Sequence, residues 1–216
     1  VENRITVRTM KRILIVLILL IFQAGFMTLS AREPHKWMGV SEQTPEQEIL
    51  SMMKSREASI KEVLGEGDVT YTDRQRERLQ VLINEIIDFT EMSKTALSIH
   101  WTELSAAQKS EFVSLFSQVV KKSSLKKLDI FHAVIEYKTV KVEGEKAFAQ
   151  TVATYKRTRT AVDYEFHRVN STWKVTDFLI DEVSTAESYK RSFQKIIRKH
   201  NFQGLMDRLK EKLEEE

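Results

Sequence analysis

The chain runs to 216 residues, sets 34 Lys and Arg against 31 Asp and Glu, and contains no cysteine. That length suits one domain around one sizeable core, and the lack of cysteine excludes disulfide staples, thiolate metal centres and a thioether lipid anchor. The excess positive charge sits in the first 31 residues, where Arg4, Arg8, Lys11 and Arg12 face only Glu2; the remaining 30 charges of each sign cancel and give no basic footprint for nucleic acid.

Lys11-Arg12 precede the unbroken apolar run Ile13 to Phe22, and small residues follow at Ser30-Ala31. A basic start, an apolar stretch of this length and a small-residue exit form a secretory signal peptide, here residues 1–31 with the true start at Met10 and cleavage near Ser30/Ala31. The run falls short of the roughly 20 residues that span a bilayer. Extension to Leu29 admits Gln23, Gly25 and Thr28, which leaves an uncleaved anchor as the alternative. Residues 32–44 read as a flexible connecting segment.

Thr44-Pro45-Glu46-Gln47 combines an N-cap, a proline at the first helical position and Gln at the third, so a helix is predicted from residue 45 to about Leu64, ending at Gly65. From Asp73, apolar residues recur every three or four positions from Leu79 through Leu97, which predicts one long amphipathic helix closed by Trp101 and Leu104. Ser105-Ala106-Ala107-Gln108 opens a further helix with Phe112, Leu115, Phe116 and Val119 on its inner stripe, ending in the lysine-rich turn Lys121 to Lys127. The period then shifts to alternation, predicting strands at about 130–142, 147–157, 161–169 and 172–180, with turns at Glu143-Gly144-Glu145, Arg157–Thr160 and Asn170-Ser171. Short turns make neighbouring strands antiparallel. Ser184-Thr185-Ala186-Glu187 caps a helix through His200, and a terminal helix gives way to an acidic tail at 214–216. The fold class is α+β, with helices first, a four-stranded antiparallel sheet, and helices closing on it.

Reactive groups are sparse. His35, His100, His132, His167 and His200 are scattered without metal-ligand spacing, so no metal site is expected. Nucleophile-elbow, phosphate-loop and zinc-protease motifs are missing. Asp88 and Asp177 occupy the most apolar local settings of any carboxylates. A catalytic reading makes one of them a general base, and the plainer reading makes each a structural partner. The basic clusters Lys121-Lys122, Lys126-Lys127, Lys156-Arg157-Arg159 and Lys190-Arg191 read as solvated faces, or as the rim of a pocket that meets an anionic head group.

Ile87-Asp88-Phe89 followed by Met92, Ala96-Leu97, His100-Trp101, Leu104-Ser105, Gln108, Glu111-Phe112 and Phe116 resembles the helical block of the MlaC / toluene-tolerance family of periplasmic phospholipid-binding proteins. Trp173-Lys174-Val175 with Asp177 resembles the family's last main strand, and Glu182-Val183-Ser184, Tyr189-Lys190 and Phe193 resemble the start of its closing helix. The resemblance covers residues 45–213. Departures fall at Ser123 to Lys127, at Ser188 in place of Asn, and at Glu182 in place of Gly.

The resemblance implies long helices on a curved sheet in an NTF2-like arrangement enclosing an apolar cavity. It implies a periplasmic phospholipid carrier, with no catalysis and no cofactor beyond phospholipid as cargo. Its implied partners are an inner-membrane ABC-type lipid transporter complex and an outer-membrane lipoprotein/porin complex. Candidate cavity residues are Leu82, Ile86, Phe89, Phe112 and Phe116 from the helices, Val152, Tyr164, Phe166, Trp173 and Val175 from the strands, and Tyr189 and Phe193 from the closing helix. Two rivals stand beside the carrier: an isomerase or dehydratase of small hydrophobic substrates using Asp88 or Asp177, and a non-catalytic envelope interaction module.

Overall fold

The computed structural model describes residues 43–66, 70–126 and 128–214. The signal-peptide and cleavage readings, and the connecting segment up to residue 42, lie outside them.

Helix α1 (Pro45–Leu64) is set by the capping box that its sequence predicts: the Thr44 hydroxyl accepts from the Gln47 N–H, and the Gln47 side chain accepts from the Thr44 N–H. It stops at Gly65, whose φ of 70° suits a residue without a Cβ. Helix α2 (Asp73–Asn84) starts with the same reciprocal pairing of Thr72 and Gln75. The single long helix expected from Asp73 is in fact three, of which α2 is the first. Asp88 and Ser98 interrupt it, giving α3 (Phe89–Leu97) and the short α4 (Ile99–Glu103).

The first interruption has a clear cause. Residues 86–88 leave the helical path to bond the strand Thr172–Ile180: the Val175 N–H donates to the Ile86 carbonyl and the Asp88 N–H donates to the Val175 carbonyl, both at 2.8 Å. Asp88 then caps α3 through the N–H groups of Thr90 and Glu91. At the second interruption Ser98 adopts φ 54°, a left-handed value that no helix interior allows. Helix α5 (Ala106–Ser124) is capped by Ser105 and Gln108 as predicted.

The sheet is a meander of five antiparallel strands in chain order. These are β1 (Val134–Glu143), β2 (Lys146–Tyr155), β3 (Thr158–Val169), β4 (Thr172–Ile180) and the two-residue β5 (Val183–Ser184), which corrects the expected four. The first strand also starts later than predicted, because Leu128–His132 forms a 3-10 turn. Bulges interrupt the register between Tyr137 and Thr139, and between Glu165 and Phe166 opposite β4. Each adds a residue to one strand and so bends it. Asn170-Ser171 and Asp181-Glu182 are two-residue turns with positive φ at both positions, the geometry that joins twisted neighbouring strands.

Helix α6 (Thr185–Glu214) bends at Asn201, where φ is 54°, and the Asn201 side chain accepts from the Gly204 N–H to restart the helix. Apolar side chains gather into three clusters. The largest joins α3, α5 and α6 and contains the aromatic group Phe112, Phe116, Tyr189 and Phe193, with Phe116 and Tyr189 centroids 4.8 Å apart. The second lies between α1 and the sheet and the third between α1, α2 and the 3-10 turn.

Candidate functional site

Strand pairing defines the face of the sheet that the helices cover. Ala147 pairs with Phe166, Ala149 with Tyr164, Thr151 with Val162 and Ala153 with Thr160, so these residues point the same way. Val142, Val140, Tyr137 and Ile135 of β1 continue this face, as do Trp173 and Val175 of β4. Helix α1 crosses part of it. Ile49 and Met53 bury themselves against Ala147, Ala149, Phe166 and Val175.

Polar contacts fix that helix at both ends. The Tyr137 hydroxyl donates to the Glu57 carboxylate at 2.7 Å, and the Trp173 indole N–H and Arg168 guanidinium donate to Glu48 at 3.2 and 3.3 Å. Arg56 donates to the Leu82 carbonyl at 2.7 Å, joining α1 to the end of α2. These tie points leave the part of the face beyond Tyr137 and Tyr164 less covered: Ile135, Ala153, Thr160 and Val162 are all half-buried. The central strand there carries small side chains, Ala149, Thr151 and Ala153, and the Thr151 hydroxyl is turned back onto the Val162 carbonyl at 2.6 Å.

Tyr164 marks the depth of this region. Burial, assisted by the negative charges of Glu57 and Asp163, pushes its hydroxyl up to about 12. Its surface is nonetheless only half-buried. Tyr137, hydrogen-bonded to Glu57, is raised further by burial and by that carboxylate.

The cavity candidates distribute unevenly. Phe89, Phe112, Phe116, Tyr189 and Phe193 belong to the helical cluster, Ile86, Tyr164, Phe166, Trp173 and Val175 to the sheet cluster, and Leu82 to the third. Ile87 packs on both of the first two and joins them. Val152 pairs with Ala161 and Glu136 on the opposite face from Tyr164, so the alternation of β2 sets it apart from the others. Sequence reasoning missed the small-residue stripe of β2 and the α1 contacts. The signal was present in Ala147-Phe148-Ala149-Gln150-Thr151-Val152-Ala153, where every second residue is small.

The two carboxylates of the catalytic reading are both engaged. Asp88 accepts from the Thr90 and Glu91 N–H groups with one oxygen and contacts His167 Nε2 at 2.9 Å with the other. Asp177 accepts from the Phe178 and Ala186 N–H groups at 2.8 and 2.9 Å and from the Ser184 hydroxyl, which fixes the start of α6. Among the described residues no His, Asp and Glu gather as a metal site, and no helix is long and apolar enough to cross a membrane.

The fold is thus a helix-backed meander whose inner face presents small and aromatic side chains. The chain belongs to the MlaC protein family, whose family model matches residues 48–211. It is similar in structure to the phospholipid-binding protein from Ralstonia solanacearum, solved in complex with a phospholipid, at 17% identity and a TM-score of 0.65 over 80% of this chain and 98% of that one. At that identity the likeness shows the fold. No curated protein matches the sequence.

Proposed function

We propose that the protein is a periplasmic phospholipid carrier that holds acyl chains between the inner face of the sheet and the helices, in an NTF2-like arrangement. It would exchange lipid with an inner-membrane ABC-type transporter complex and an outer-membrane lipoprotein/porin complex. Phospholipid is then cargo, and no cofactor takes part. Membership of the MlaC family supports this reading, as does a structural neighbour that holds a phospholipid. The observation that carries it is the run of small side chains Ala149, Thr151 and Ala153 on the helix-covered face of β2, beside the half-buried Tyr164.

The physical need is large. A phospholipid has about 30 acyl methylenes, and at ~0.8 kcal/mol each their exposure to water would cost on the order of 20 kcal/mol. Crossing an aqueous compartment therefore requires an apolar enclosure. Large side chains at Ala149 and Ala153 would fill such a space, and the sequence supplies small ones. The isomerase or dehydratase reading loses support because both carboxylates already have structural partners, Asp177 in the backbone of β4 and the start of α6, and Asp88 at the start of α3 and on His167.

The test uses the two faces of β2. Ala153→Phe adds a ring to the inner face and is expected to reduce the phospholipid recovered from purified protein severalfold. Val152→Phe places the same ring on the other face and should leave it unchanged. Equal lipid content in both variants would refute the placement.

A further inference from the structure

A groove of about 880 Å³ lies away from the sheet, bordered by α2, the end of α5 and the end of α6. Arg76, Lys121, Lys122 and Lys126 line it together with Leu125 and Leu213, and none of its lining residues is acidic. Beyond residue 31 the chain carries equal numbers of positive and negative charges, so this concentration of one sign is local. Part of it has a structural explanation. Lys122 donates to the Leu213 carbonyl at 2.8 Å, completing the end of α6, and Lys121 sits over the Phe89 ring at 5.4 Å.

Arg76 and Lys126 have no such role. Both are exposed, and neither side chain makes an ion pair or hydrogen bond among the described residues. Arg76 stands in the first turn of α2, where the helix dipole disfavours a cation. Lys126 follows the end of α5, within the Ser123 to Lys127 stretch where the sequence departs from the family pattern.

We propose that this groove is a docking surface for an anionic lipid bilayer. Charge complementarity supplies the attraction, at about fivefold in partition for each Lys or Arg near the surface. Apolar groups lie within the same patch: Leu125 and Leu213, each half-buried, line the groove. A basic rim around half-buried aliphatic side chains matches a head-group layer over acyl chains better than it matches an acidic protein face. The surface lies on different elements from the cavity face, so it governs where the protein rests and not what it carries.

The experiment is co-sedimentation of the protein with vesicles, counting protein and not transferred lipid, so that failure of the carrier reading would not affect it. Vesicles of phosphatidylethanolamine with phosphatidylglycerol should pellet the protein at low salt, and vesicles of phosphatidylcholine alone should not. Arg76→Gln with Lys126→Gln should weaken the partition about 25-fold, with the thermal midpoint unchanged. Arg76→Lys with Lys126→Arg, which keeps the charge, should restore it. Inorganic phosphate replacing chloride at equal ionic strength should leave binding intact. Loss of binding there would identify a single-phosphate site and overturn the proposal. A groove built for an acidic protein would leave both proteins at the phosphatidylcholine level on every vesicle, and that result, or equal pelleting of the Gln variant and the parent, also overturns it.

Discussion

Glu182 holds φ 68° in the turn after β4, a conformation that costs a residue with a Cβ about 1 kcal/mol. Glu182→Gly is therefore expected to raise stability by about 0.5–1 kcal/mol in urea unfolding, the reverse of the usual effect of glycine. Glu165 tests electrostatics at the same scale. Its carboxyl is raised by burial and by the charge of Asp177 across the strand pair. A group whose folded pKa exceeds its unfolded one favours the native state most fully at pH below the unfolded value, and loses that contribution as pH rises through the folded value. Glu165→Gln should thus give a slightly higher thermal midpoint than the parent at pH 7 and the same midpoint at pH 4. The difference is small because the side chain is exposed. A gap that widened toward acid would contradict the assignment.

Helix starts were legible because their chemistry is local. Thr44 with Gln47, Ser105 with Gln108, and Ser184 with Glu187 each bond within four residues, so the sequence contains the whole interaction. The break at Asp88 was not legible by periodicity, since Ile83, Ile86, Phe89 and Met92 keep helical spacing through it. What breaks the helix is β4, 87 residues further along, taking the backbone of Ile86 and Asp88 into its own ladder. The Asp88-to-Glu91 spacing was the one local hint of a new start. The bend in α6 offers the element-scale prediction. A Cβ on Gly204 would lie 2.5 Å from the His200 Cβ, because the chain tightens around Asn201. Gly204→Ala should destabilise by about 1–3 kcal/mol despite alanine's higher helix propensity. A gain in thermal midpoint would show that the bend is not held in solution.

At the scale of the whole molecule, composition could not separate a filled interior from a hollow one, and the structure shows why the apolar residues divide. The aromatic group of α5 and α6 is closed on itself, with Phe112 and Phe116 fully buried and their rings 5.6 Å apart. The sheet offers small side chains and a half-buried Tyr164 instead. Residue type alone put Phe116 and Tyr164 together as candidates, and strand register and helix packing place them in different clusters. Register also explains Val152: one position along β2 exchanges the inner face for the outer. The account's central claim is that the inner face of the sheet encloses phospholipid. Native mass spectrometry of the protein purified without detergent, followed by lipid extraction, measures this directly. The account predicts a mass excess of one phospholipid per chain, lost on delipidation and regained from vesicles. A folded protein that carries no lipid at stoichiometric level, and takes none up from vesicles, would contradict it.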